Sequence, residues 1–105
     1  MASFSLAKAQ KTDCVVLMDS IKGTYEGECS SNKAHGHGKS IGIDSYEGDF
    51  RNGYPEGTGT YTWKNGNYYK GAWKKGLKEG QGEMHMSSVK KDSVLVGYWK
   101  KDVYK

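Results

Sequence analysis

The chain has 105 residues, is 35% hydrophobic and 27% charged, carries a formal net charge of +4, and holds 15 glycines, 8 tyrosines, 3 tryptophans and one proline. Glycine at about twice its ordinary usage with almost no proline excludes collagen and proline-rich linkers, and the aromatic content argues against simple disorder. No apolar run reaches the roughly 18 residues of a membrane-spanning helix.

Residues 1–12 read as a disordered tail or the remnant of a secretory signal, because Ala7-Lys8-Ala9 resembles a small-residue cleavage site. Residues 13–105 read as one domain. The first cysteine, Cys14, has a single companion, Cys29, which excludes a four-sulfur metal site.

From Tyr25 onward the chain repeats. Tyr46-Glu47-Gly48-Asp49-Phe50 returns 23 residues later as Tyr69-Lys70-Gly71-Ala72-Trp73, with glycines following at equal offsets. These are Gly53, Gly57 and Gly59 in one copy and Gly76, Gly80 and Gly82 in the next. An earlier copy starts at Tyr25-Glu26-Gly27 and continues to Gly36 and Gly38, while an eroded one reads Leu95-Val96-Gly97-Tyr98-Trp99. The copies divide the chain near 25–45, 46–68, 69–94 and, in part, 95–105. A fixed period of this length marks a repeat architecture, in which atypical end copies serve as caps.

Apolar and polar residues alternate in each copy, the period of a strand, and glycine every second or third residue disfavours helix by about 1 kcal/mol each. Each copy is therefore expected to be a β-hairpin. The reading is all-β: a single twisted antiparallel meander of seven to eight strands. A loop over residues 51–58 would pair Phe50 with Gly59, Gly48 with Tyr61 and Tyr46 with Trp63; likewise Trp73 with Gly82, Gly71 with Met84 and Tyr69 with Met86. Between copies, Asn65-Gly66 suits a type I′ turn, which places Trp63 opposite Tyr68 and Tyr69 opposite Thr62. Carried back 44 residues, that connection sets Cys14 opposite Cys29. Opposed strand residues lie within disulfide range, so the register favours a bond over two buried thiols, and a bond would fit an extracytoplasmic location. The cytoplasm is the alternative.

The spacing resembles that of the MORN (membrane occupation and recognition nexus) repeat, a Tyr-x-Gly-x-Trp core followed by spaced glycines and Gly-x-Gly. The residues that carry the resemblance are Tyr25, Gly27, Gly36 and Gly38; Tyr46, Gly48, Phe50, Gly53, Gly57 and Gly59; and Tyr69, Gly71, Trp73, Gly76, Gly80 and Gly82. Cys29 stands at an aromatic position of the pattern. The resemblance implies MORN hairpins in one long meander, used for binding or spacing without catalytic residues. Such repeats accompany lipid kinases, junctional membrane proteins, a histone methyltransferase and cytoskeletal scaffolds, with phospholipid binding and protein contacts both inferred for them.

Three sets of residues follow as candidates. Gly27, Gly48, Gly59, Gly71, Gly82 and Gly97 are structural glycines that leave room for rings across the sheet. Tyr25, Tyr46, Phe50, Tyr61, Trp63, Tyr69, Trp73 and Trp99 share one parity and line one face, as core or as a surface for a protein partner, a second copy (a homodimer) or a glycan chain. A single sheet is expected to leave part of this stripe accessible. Residues 64–105 hold 10 lysines against 4 acids, so Lys70, Lys74, Lys75, Lys78, Lys90 and Lys91 are candidate contacts for an anionic phospholipid membrane, or a solvated face that keeps sheet edges apart. Arg51 is the only arginine, which disfavours nucleic acid. Gly-x-Gly segments here start strands rather than helices, so no phosphate loop is read. His35 and His37 have His85 as their only further histidine, nearly fifty residues on, and no catalytic constellation, metal, cofactor or small-molecule substrate is expected.

Overall fold

The computed structural model describes residues 14–86 and 93–104, without the side chain of Ser93. The candidates Lys90 and Lys91 and the expected tail over residues 1–12 lie outside these residues. Eight strands run in chain order through one open antiparallel sheet: β1 Thr24–Ser30, β2 Lys33–Ile41, β3 Ser45–Arg51, β4 Tyr54–Thr62, β5 Tyr68–Lys74, β6 Leu77–Met86, β7 Ser93–Lys100 and β8 Val103–Tyr104. The expected meander is the observed fold.

Each hairpin closes through two residues, both in the left-handed region: Ser31 and Asn32 (φ 51° and 65°), Asn52 and Gly53 (50° and 90°), Lys75 and Gly76 (49° and 81°), Lys101 and Asp102 (48° and 73°). This is the type I′ geometry whose twist matches paired strands. The strands therefore pair at once, and the expected loop over 51–58 is corrected. Phe50 faces Pro55, and Gly48 faces Gly59. Phe50 and Pro55 form the non-hydrogen-bonded pair next to the turn, so the proline's missing N–H costs no ladder bond. Between these pairs, residues 56–58 lie against Asp49 alone, a bulge with Gly57 at φ 114°. Residues 35–37 lie against Glu28 and 79–81 against Ala72 in the same way.

The bulge shifts the ladder by two residues. Tyr46 consequently faces Tyr61, and Tyr69 faces Met84, two positions from the expected register but on the expected face. The connection between copies is also corrected. Asn65-Gly66 lies within a five-residue loop, closed by Trp63 N–H donating to the Asn67 carbonyl at 2.8 Å, and Tyr69 faces Tyr61.

The bulge brings the repeated spacing of glycines into line. Gly27 faces Gly38, Gly38 faces Gly48, Gly48 faces Gly59, Gly59 faces Gly71, Gly71 faces Gly82 and Gly82 faces Gly97, one continuous row across seven strands. The core is a layer of rings lying over this row on one face.

Residues 14–21 lie across the first hairpins. Val15 donates to Asn32 O (2.9 Å) and accepts from Ala34 N (3.0 Å); Leu17 donates to Gly53 O (2.8 Å). A 3₁₀ turn, Asp19–Ile21, then brings Ile21 into the core at 0% exposure, where its carbonyl accepts from Ser40 Oγ. Cys14 and Cys29 are bonded, with Cα atoms 5.5 Å apart. The cysteines do not meet across an antiparallel hairpin, as the register had placed them. The segment instead bridges in parallel to the start of β2 through Val15 and Lys33.

Candidate functional site: the aromatic face and its open end

The rings form one edge-to-face chain. Tyr25 meets Phe50 (centroids 5.3 Å apart), Phe50 meets Tyr46 (5.0 Å), Tyr46 meets Trp73 (5.6 Å), Trp73 meets Tyr69 (5.2 Å) and Tyr69 meets Trp99 (5.3 Å), all with planes 80–90° apart. Such pairs set a positive ring edge on a negative face and each contributes about 0.5–1.5 kcal/mol beyond burial. Each tyrosine opening a full copy also serves its bulge. Tyr25 donates to Glu28 O, Tyr46 to Asp49 O (2.8 Å) and Tyr69 to Ala72 O (3.2 Å), satisfying carbonyls the irregular ladder leaves over.

On the opposite face, acids at the same positions hold the bulge from its other side. Glu28 Oε1 accepts from His37 N (2.7 Å) and Asp49 Oδ2 from Thr58 N (3.1 Å); in the third copy Ala72 stands at that position.

Burial raises the pKa of these tyrosines. Tyr25 is pushed up to about 12, with the Glu28 charge adding to the effect. Tyr61 is pushed up to about 12 by burial and then by its hydrogen bond to Asp44, at 2.6 Å. Tyr69 is also pushed up to about 12 by burial, and Tyr46 rises further, again from burial first and the Asp49 charge second.

Of the eight expected aromatic-face residues, Tyr25, Tyr46, Phe50, Tyr61, Tyr69, Trp73 and Trp99 are 0–7% exposed. They are the core of the described protein, one of the two readings offered for the stripe. Trp63 alone among the eight remains partly exposed; Met84 and Leu95, which pack against the same core, are also only partly buried. The coverage over the earlier copies comes from residues 14–21, including buried Cys14, Val16 and Ile21 and a 2.6 Å contact between Ser20 Oγ and the Tyr61 hydroxyl.

Lys78 is not a surface lysine. Its side chain is 11% exposed, its ammonium lies 5.4, 5.9 and 5.6 Å from the ring centroids of Trp63, Tyr69 and Trp99, and Asp102 Oδ1 is 3.2 Å away. The ring quadrupoles and one carboxylate hold the charge in a self-filled cage. A lysine in a basic stretch gives no sign of this; the sign is its offset, since the matching residues Ala34 and Pro55 are both buried. Lys70 lies on the opposite face, in a groove of about 520 Å³ along the glycine row that Glu47, Asp49, Glu83 and Val96 also line. Lys74 and Lys75 are exposed at a turn, and Lys100, Lys101, Lys33 and Arg51 are exposed at other turns of the same sheet margin.

His35 Nδ1 accepts from Asn52 N (3.2 Å), and His37 Nδ1 lies 3.9 Å from Asp49. Among the described residues no group of three or more His, Cys, Asp or Glu side chains is placed to hold a metal ion.

A sheet of hairpins with ring, glycine and turn positions repeating in step is a tandem-repeat module. The MORN repeat profile matches residues 25–44, 46–68 and 69–88, and the chain belongs to the MORN repeat family, whose modules are typically non-catalytic. The chain is 34% identical over 58 residues to alsin from rat (Rattus norvegicus), mouse (Mus musculus) and human (Homo sapiens), a match covering 53% of this chain and 4% of each alsin.

Proposed function

We propose that the protein is a non-enzymatic interaction module that binds a protein partner through the open end of its aromatic face. The observation that carries this reading is that Trp63 and the facing pair Met84 and Leu95 are only partly buried where they pack against the ring layer, as Met18 and Cys29 are at the first copy. Apolar side chains partly exposed on a rigid core suit a partner, because they need little ordering on association. Met84 adds an adaptable contact. The test is capture of binding proteins from the native source by wild type, by Met84→Ser with Leu95→Ser, and by a folded control changed in the opposite groove, Lys70→Ser. Loss of a saturable partner in the first variant alone supports the reading; its retention there with loss in the groove variant overturns it.

A second reading, peripheral binding to an anionic membrane, is favoured by the basic turn margin of Lys33, Arg51, Lys74, Lys75, Lys100 and Lys101. Juxtaposed exposed lysines attract anionic lipid by about 1 kcal/mol each, screened by salt. Binding to phosphatidylserine vesicles that does not weaken from low to high salt would reject it. Glycan binding depends on exposed rings, and seven of the eight candidates are buried.

A further inference from the structure

We propose that residues 14–21 form a redox-latched strap: a dithiol that attacks at Cys29 opens the Cys14–Cys29 bond, frees the Cys14 end and uncovers rings over the first hairpins while the sheet stays folded. This is independent of the partner reading, because the occupant of that face is the strap itself. Its two ends are fastened differently. At the end that leads into β1, Ile21 is 0% exposed and its carbonyl accepts from Ser40 Oγ. The Ser20 carbonyl accepts from Asp44 N at 2.9 Å, and Ser20 Oγ lies 2.6 Å from the Tyr61 hydroxyl. Towards Cys14 the chain rests on turn tips. Val15 and Leu17 donate to Asn32 O and Gly53 O, the second residues of two successive turns, and Val15 O accepts from Ala34 N. Val15 is 42% exposed and Leu17 and Met18 are only partly buried, so Cys14 and Val16 are what this half puts into the core.

Three backbone bonds and two small buried side chains are set against the freedom of residues 14–18, and the disulfide tips that balance. Closing a loop of 15 positions suppresses opening about a hundredfold by the chain-entropy relation. The bond is reached from one side. Cys14 is 6% exposed, whereas Cys29 is partly exposed and lines a cavity of about 590 Å³ with Gly27, Glu28, His35 and Gly36, room enough for a small dithiol. The incoming thiolate attacks Cys29 Sγ, the Cys14–Cys29 bond breaks, and a mixed disulfide forms on Cys29. Cys14 leaves as a thiolate on the free end of the strap and takes up a proton. The second thiolate of the reagent then displaces Cys29, which is protonated in turn. The protein gains two thiols as the dithiol is oxidised to its disulfide, so electrons and protons balance. Withdrawal of Cys14 and Val16 opens the cluster that they share with Tyr25, Ala34 and Phe50, while Ile21 keeps the strap tethered at its other end.

Amide hydrogen exchange of the whole chain, read residue by residue by NMR before and after addition of dithiothreitol, tests the proposal. Circular dichroism reports whether the sheet is folded, and anilinonaphthalene sulfonate fluorescence reports uncovered rings. In the reduced chain the Val15 and Leu17 amides should exchange within about tenfold of an unstructured peptide, while hydrogen-bonded amides of β3–β5 stay at least about a hundredfold slower. Dye fluorescence should rise with circular dichroism unchanged. Cys29→Ala, at a partly exposed position, should reproduce this state without reductant, and 2-mercaptoethanol should be trapped on Cys29 by peptide mass. Val15 and Leu17 amides that stay as protected as β3–β5 after reduction would overturn the strap. So would loss of protection throughout the sheet together with its circular dichroism, and an adduct held by Cys14 would overturn the attack at Cys29.

Discussion

Replacing Gly59 by alanine tests whether the glycine row exists to seat the tyrosines. A Cβ at this position would lie 2.2 Å from the Tyr46 hydroxyl oxygen, 2.4 Å from Cζ and 2.6 Å from Cε1. Ordinary contact begins near 3.4 Å, so the ring must retreat by about 1 Å. It has nowhere to go: Tyr46 is 0% exposed, Phe50 and Trp73 stand edge-on at 5.0 and 5.6 Å, and the hydroxyl is committed to Asp49 O. Overpacking of this kind costs about 1–3 kcal/mol, and loss of the hydroxyl bond about 1 kcal/mol more. Gly59→Ala should therefore lower unfolding free energy by about 2–4 kcal/mol in urea titrations followed by tryptophan fluorescence. A double-mutant cycle isolates the cause. In a Tyr46→Leu background the obstructing hydroxyl and ring are gone, so most of the penalty should disappear, a coupling of about 1–3 kcal/mol. Equal cost of Gly59→Ala in both backgrounds would show that the row serves something other than ring seating and would refute the reasoning.

Three further outcomes follow from the same geometry. Tyr25, Tyr61 and Tyr69 are held near 12, whereas an unfolded chain loses these protons near 10, so the folded state binds more protons above pH 10. Stability present below pH 10 should fall as pH rises from 10 to 12, and loss of circular dichroism should coincide with tyrosinate absorbance; ionisation of these tyrosines well before unfolding would contradict it. Reducing the Cys14–Cys29 bond, which spans 15 positions, should lower stability by about 3 kcal/mol, and an unchanged urea midpoint would show that the staple carries no load. Ala72→Asp should restore to the third bulge the acceptor that Asp49 offers Thr58 N, raising stability by about 0.5–1 kcal/mol, and a destabilised variant would show that the third bulge differs from the second.

The meander and the shared face of the rings were legible because both depend only on parity and spacing, which survive insertions between copies. Register did not follow from residue preference. Asn52-Gly53 and Asn65-Gly66 are the same dipeptide, yet the first is a two-residue turn and the second sits in a five-residue loop. What separates them is their place in the repeat, since Ser31-Asn32, Lys75-Gly76 and Lys101-Asp102 occupy the offset of Asn52-Gly53 and turn likewise. The two-residue bulge at Gly36, Gly57 and Gly80 then shifts each ladder without changing faces, which is why the face was readable and the partner residues were not. Burial of the rings was hidden for another reason. Over the earlier copies it depends on residues 14–21, a non-repeating stretch that pairs with turn tips rather than with a strand of its own, and over Tyr69 and Trp99 on Lys78 and Tyr104.

That stretch also explains how a one-layer sheet can have distinct ends. In a repeat array each copy is stabilised by its neighbours, so the terminal copies need another source of burial. At the first copy, Cys29 stands at the position that Phe50, Trp73 and Trp99 fill with rings, and Cys14 supplies the missing contact through the disulfide while Ile21 fills the core beside it. The copy that starts at Leu95 is built differently. Trp73 Nε1 donates to Gly59 O at 3.2 Å, but the buried Trp99 Nε1 has no hydrogen-bond partner among the described residues, and Tyr104 of β8 covers Gly97.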